Sequence, residues 1–145
     1  LGIVKLRDVN DPDKAFQMFK GQQADLIFSN WAPGHDELKF LNQIRDPDKS
    51  PNPFVPIIIV TAYCEQANVI AARDLGMTEF LAAPVSVKSI YQHICSVLND
   101  DRLFIKETKF FGPDRRRHEG NPIKGEDRRS QVERPVEDAE DKTEP

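Results

Sequence analysis

The chain of 145 residues has only two cysteines, one tryptophan and three histidines, and no long hydrophobic run. A membrane-spanning helix needs about 18 or more consecutive apolar residues, so no membrane span is expected. The first residues also lack the basic stretch followed by an apolar segment that marks a secretory signal. Cys64 and Cys95 cannot build a disulfide framework, which makes a reducing, cytoplasmic compartment the expected one. The scattered His35, His93 and His118 do not supply the paired Cys/His spacing of a zinc site. Cations are not in excess either. Twenty Lys+Arg against 24 Asp+Glu leave a net charge of −4, which argues against general DNA binding by the body of the protein.

Apolar residues are missing unevenly. Residues 1–99 hold 9 basic and 11 acidic side chains, whereas 100–145 hold 11 and 13, so 24 of the last 46 residues are charged. Only nine residues of that stretch are aliphatic or aromatic: Leu103, Phe104, Ile105, Phe110, Phe111, Ile123, Val132, Val136 and Ala139. Ordering a residue costs about 1–2 kcal/mol of backbone entropy, and a segment with so few apolar side chains has little burial to offset it. The expectation is therefore a globular domain over 1–99 and a charged, disordered tail over 100–145.

What the first 99 residues do contain is an alternation of two periods. IVKLRDV at 3–9 reads as a short strand. Asn10-Asp11-Pro12 supplies a cap and a proline for a first helical turn, and Ala15, Phe16 and Phe19 give that helix one apolar face. ADLIFS at 24–29 is a second short strand. Leu38, Leu41 and Ile44 predict a helix over 36–45. The proline-dense DPDKSPNPFVP cannot be helical and leads into PIIIV at 56–60, whose unbroken apolar run suits a parallel strand covered on both faces. A helix over 65–75 follows, with Val69, Ile70 and Ala72 inward and Gly76 placed as the residue after its end. TEFLAA at 78–83 is a fourth strand. A last helix over 86–99 carries Val87, Ile90, Tyr91, Ile94, Val97 and Leu98. This order of elements implies an α/β fold, a parallel sheet with helices on both faces, and in such sheets ligands bind beyond the carboxyl ends of the strands.

The residues at those ends carry a resemblance. DLIFSNWAPG, PIIIVTA and EFLAAPVS, in that order between Ala24 and Leu98, resemble the receiver domain of bacterial two-component response regulators, the CheY-like family. The resemblance implies a CheY/flavodoxin-like three-layer sandwich with strand order 2-1-3-4-5, of which the first β-α unit is missing from this chain. The missing strand would be the central one. Its burial is worth roughly 8–15 kcal/mol for about five apolar side chains, so an upstream segment or a partner chain is expected to complete the sheet. Family members hold Mg²⁺ with an acidic pair, phosphorylate an aspartate after the third strand, and contact the phosphoryl group with a Thr or Ser and a Lys. Carried over, the phosphoacceptor position falls on Asn30 and the lysine position on Ala83, ahead of the structural Pro84. Thr61 keeps the hydroxyl, and Phe80 takes the place of the switch aromatic. Pro33 comes one residue early and Glu37 stands where a glycine is usual. An amide cannot form an acyl phosphate, and Ala83 has no ammonium to neutralise transferring oxygens. The implied protein is a phosphorylation-incompetent pseudo-receiver. It would have no catalytic residues, no metal and no Mg²⁺ cofactor, and would bind a signalling protein such as a histidine kinase, phosphatase or motor-type target.

The remaining features have plainer readings. Trp31 is expected as a partly exposed loop aromatic, His35 and Asp36 as a solvated loop and helix cap, Cys64 as a passive thiol, and His93 on a polar helix edge. In the tail, Gly112, Asp114, Arg115 and Arg116 recur thirteen residues later as Gly125, Asp127, Arg128 and Arg129. With Arg117 and the preceding phenylalanines, these arginines form a candidate ligand site. The alternative function is thus a CheY-like effector binding a cyclic dinucleotide through its Arg-rich tail.

Overall fold

Local chemistry starts the first helix where the sequence places it. In the computed structural model, which describes residues 5–32, 37–107, 110–114 and 130–132, Asp11 caps α1 (Pro12–Gly21) by accepting the N–H of Lys14 at 2.8 Å. Pro12 sits in the first turn, where a missing N–H removes no helical bond. Phe16 and Phe19, one turn apart, form the buried face. The parallel strands β1 (Ile27–Asn30), β2 (Ile57–Thr61) and β3 (Glu79–Ala82) alternate with α2 (Glu37–Arg45), α3 (Gln66–Asp74) and α4 (Val87–Leu98). Gly76 follows the end of α3 at φ +88°, a conformation in which a Cβ would clash with the backbone.

The sheet runs β1-β2-β3, with Ile27 opposite Ile57 and Ile59 opposite Phe80. Side chains alternate across it. Ile57 and Ile59 pack with Phe16, Phe19, Phe40, Leu41, Ile44 and Ala72 from α1, α2 and α3. Ile58 packs on the other face with Leu81 and with Val97 of α4. Three helices therefore cover one face and a single helix the other. The result is the α/β, flavodoxin-like architecture, with these strands in the order of the family's third, fourth and fifth. Among the described strands, β1 has a neighbour on one side only.

Three expectations fail. Residues 5–9, the described part of the proposed first strand, form no strand, and Leu6 is 87% exposed. A strand exists only against a neighbour, and none lies beside this segment among the described residues. Val87, Tyr91 and Leu98 of α4 are exposed rather than in the core among the described residues. The tail is not devoid of structure: β4 (Phe104–Glu107), β5 (Phe110–Pro113) and β6 (Ser130–Val132) make an antiparallel sheet in the order β5-β4-β6. Averaging over 46 residues conceals that five of the nine apolar residues fall within 103–111.

That second sheet is fastened to the first by aromatic packing and one buried cation. Phe104 and Phe111 stack edge-on against Phe54, at centroid distances of 5.1 and 5.3 Å. Arg45, in the last turn of α2, is only 4% exposed. Its Nε donates to Gly76 O at 2.7 Å, Nη1 to Pro53 O and Val55 O at 2.6 and 2.8 Å, and Nη2 to Thr78 Oγ1 at 3.4 Å. The guanidinium lies 5.4 Å from the centre of the Phe104 ring. A buried acceptor left unpaired costs about 1–3 kcal/mol, and Arg45→Met would strand three carbonyls. Urea denaturation of Arg45→Met should show a loss of about 3 kcal/mol or more as a lower midpoint at an unchanged slope.

Candidate functional site

The parallel register brings the positions singled out above to one pole. Asn30 ends β1 opposite Val60, and the next amide, Trp31 N–H, donates to Val60 O at 3.1 Å. Thr61 ends β2 opposite Ala82, and Ala83 N–H donates to Thr61 O at 2.8 Å. The Ala83–Pro84 peptide is cis and turns the chain toward α4. Asn30, Thr61 and Ala83 thus stand on three adjacent strand ends, in the middle of which lies Thr61.

The chemistry of these side chains differs from position to position. Asn30 is exposed and neutral, and Ala83 is half-buried and apolar. Thr61 is 1% exposed, with its hydroxyl oxygen accepting the N–H of Tyr63 at 3.0 Å. Cys64 Sγ donates to Thr61 O at 3.6 Å, so both oxygens of Thr61 hold the turn after β2. Phe80 is half-buried and packs on the side of α1, α2 and α3. A hard divalent cation is held by several oxygen ligands, carboxylates prominent among them. The side chains at Asn30, Thr61 and Ala83 offer an amide, a hydroxyl and a methyl group. Among the described residues no group of three or more His, Cys, Asp or Glu could hold a metal ion.

Trp31 corrects an expectation. It is 5% exposed and belongs to the core with Phe16, Phe19 and Phe40, because the chain turns inward directly after β1. His35 and Asp36 lie outside the described residues, as do Arg115, Arg116, Arg117, Arg128 and Arg129 of the candidate tail site.

The opposite pole holds groups that sequence reasoning missed. Glu79 accepts from Ser96 Oγ at 2.5 Å and lies 2.5 Å from His93 Nδ1, pinning α4 to the start of β3. Arg102 donates to Asp100 and, through Nη2 at 3.0 Å, to Thr78 O. Thr78, Glu79, His93 and Arg102 border a cleft of about 260 Å³ that also touches Arg73 and Pro113. Nothing in the sequence marks Glu79 and His93 as partners, since fourteen residues separate them.

The role of the Thr61 hydroxyl is open to measurement. Thr61→Val keeps the shape but removes the acceptor for Tyr63 N–H, and should lower stability by about 1 kcal/mol. Thr61→Ser keeps the acceptor and should retain that hydrogen bond. Guanidinium unfolding of the two variants, with the amide exchange rate of Tyr63, checks both expectations.

Comparison with known proteins agrees with the fold. The family model described as the response regulator receiver domain matches residues 1–95. A response regulator from Thermotoga maritima is similar in structure, with a TM-score of 0.53 and 17% identity over 61% of this chain and 71% of that one. The receiver domain of a sensor histidine kinase from Pseudomonas aeruginosa, solved with magnesium coordinated in its active-site cleft, gives 0.53 and 24% over 63% and 75%. No curated protein matches the chain. The parallel sheet, the strand-end pole and the match over most of the chain place it in the response regulator receiver domain family.

Proposed function

We propose that this chain is a pseudo-receiver: a non-catalytic, cytoplasmic interaction module of two-component or phosphorelay signalling that takes no phosphate of its own. The observation that carries the reading is the composition of the strand-end pole. Asn30 and Ala83 occupy strand ends on either side of Thr61, and neither brings a charge. Forming an acyl phosphate requires a carboxylate nucleophile. Stabilising the transferring oxygens requires a cation or a set of preorganised donors. Asn30 supplies no carboxylate and Ala83 supplies no ammonium, so of the three only Thr61, whose hydroxyl accepts from Tyr63 N–H and keeps its own O–H to donate, brings a polar donor of the kind the family uses.

The surface available for docking is α4 and the strand beside it. Val87, Tyr91 and Leu98 are exposed at spacings of four and seven along α4, with Val85 just before it. Lys88 is the only charged residue between Val87 and Leu98 apart from any proton on His93. Contact with Cys95 one turn on raises the Tyr91 phenol above its ordinary pKa, so it stays neutral. An exposed apolar helix face of this kind suits a protein partner, here a histidine kinase, a phosphatase or a motor-type target.

The decisive experiment is direct. The protein is incubated with acetyl phosphate and Mg²⁺, and its peptides are examined by mass spectrometry for an acid-stable, hydroxylamine-labile gain of one phosphate. The expected result is no such gain. A phosphate on residues 24–36 overturns the proposal.

A further inference from the structure

The short connection between α3 and β3 is gripped from two sides. Its amides are already engaged: Gly76 N–H donates to Arg73 O at 3.0 Å, Met77 N–H to Ala72 O at 3.3 Å, and Thr78 N–H to Ile57 O at 2.9 Å. Two of its carbonyls are held by guanidinium groups from different parts of the chain. Arg45, from α2, binds Gly76 O at 2.7 Å. Arg102, from the segment after α4, binds Thr78 O at 3.0 Å. Arg102 is itself oriented by Asp100, which accepts from its Nε at 2.8 and 2.9 Å.

Strand β5 completes the grip. A Cβ on Gly76 would stand 2.5 Å from Phe111 O, and one on Gly112 would stand 2.7 Å from Gly76 Cα. Only two glycines permit so close an approach of the two backbones. The start of β5 is fixed in turn by the aromatic contact of Phe111 with Phe54, and its end by Asp114 N–H donating to Leu103 O at 2.8 Å.

We propose that Arg102 and β5 form a built-in strap that clamps the α3–β3 connection and holds α3, β3 and α4 in a single arrangement. A carbonyl bound to water can reorient when its loop shifts, whereas one held by a guanidinium fork cannot move without breaking a charge-assisted bond. The strap therefore fixes the end of α3 and the register of β3, which carries Phe80 toward Ala83. Its purpose, a docking face of constant shape, rests on the proposed pseudo-receiver function. The clamp itself rests on these contacts alone.

The test is amide hydrogen exchange of the full chain carrying Arg102→Ala or Gly112→Ala, without phosphodonor or partner. Losing a charge-assisted bond is worth about tenfold or more in local opening. Exchange at Gly76, Met77 and Thr78 should accelerate by that factor in both variants, with β2 amides unchanged. Arg73→Ala, which removes a surface ion pair with Asp74 beside the same connection, should leave all of them as they were. Unchanged exchange at the connection overturns the strap. So does an equal acceleration in β2, which would mean general destabilisation. If either variant fails to fold, Arg102→Lys, which keeps the charge but loses the fork, is expected to give a smaller acceleration confined to the connection, and no local change overturns the proposal. A phosphate found on residues 24–36 would remove the pseudo-receiver reading and leave this result standing.

Discussion

A charged group is stable inside a protein only when every one of its donors finds an acceptor, and Arg45 imposes that requirement on much of this molecule. Its acceptors come from the α2–β2 linker (Pro53, Val55), the α3–β3 connection (Gly76) and the start of β3 (Thr78). These segments must converge on one point for the guanidinium to be buried. Phe104 then covers it from the side of the second sheet. The position also suits the cation locally, because the last turn of a helix favours positive charge. One side chain thus joins α2, the β2 end of the linker, the approach to β3 and the segment after α4.

The two poles of the parallel sheet are consequently different in kind. At the amino end of β3, Thr78 exchanges hydrogen bonds with Ile57 through both its hydroxyl and its amide, Arg45 reaches the same hydroxyl, and Arg102 takes its carbonyl. That pole is held by cations and closed by aromatic rings. At the carboxyl end, Thr61 organises its own turn and receives Ala83 N–H. Asn30, Thr61 and Ala83 there carry no charge. A threonine brackets the β2–β3 pairing at each end, and only the amino-end one is tied to arginine.

How much of this could be read from residues alone follows from the range of each interaction. Helices and strands with a strong period were legible to within a residue or two: α1 and α4 begin beside their capping residues Asp11 and Ser86, α2 spans its apolar spacing, and β2 follows its apolar run. Gly76 was legible because a helix end in a left-handed conformation favours one residue type. The placement of Asn30, Thr61 and Ala83 at adjacent strand ends was legible because parallel register brings residues of the same order in successive strands together. What failed depended on neighbours. IVKLRDV has strand chemistry but no adjacent strand among the described residues, Trp31 is buried although it follows a strand end, and half of the α4 stripe is exposed among the described residues. Arg45 was invisible for the same reason: at the end of a helix an arginine looks like a surface cation until the linker, the connection and Phe104 are folded around it.

The second sheet shows why composition misled where position would not have. Leu103, Phe104, Ile105, Phe110 and Phe111 crowd into nine residues, enough to bury Phe104 and Ile105 completely against neighbouring segments. Burial of large apolar side chains, at about 1.5–3 kcal/mol each, can order a short hairpin even when the residues beyond it are charged. This hairpin closes the amino pole and leaves the carboxyl pole and the outer flank of α4 open. The amino pole also holds the α3–β3 connection. Here that connection is bonded by Arg45 and Arg102 and backed by Gly112. The same packing that buries Phe104 and Ile105 therefore stands against a connection already bonded by two guanidinium groups.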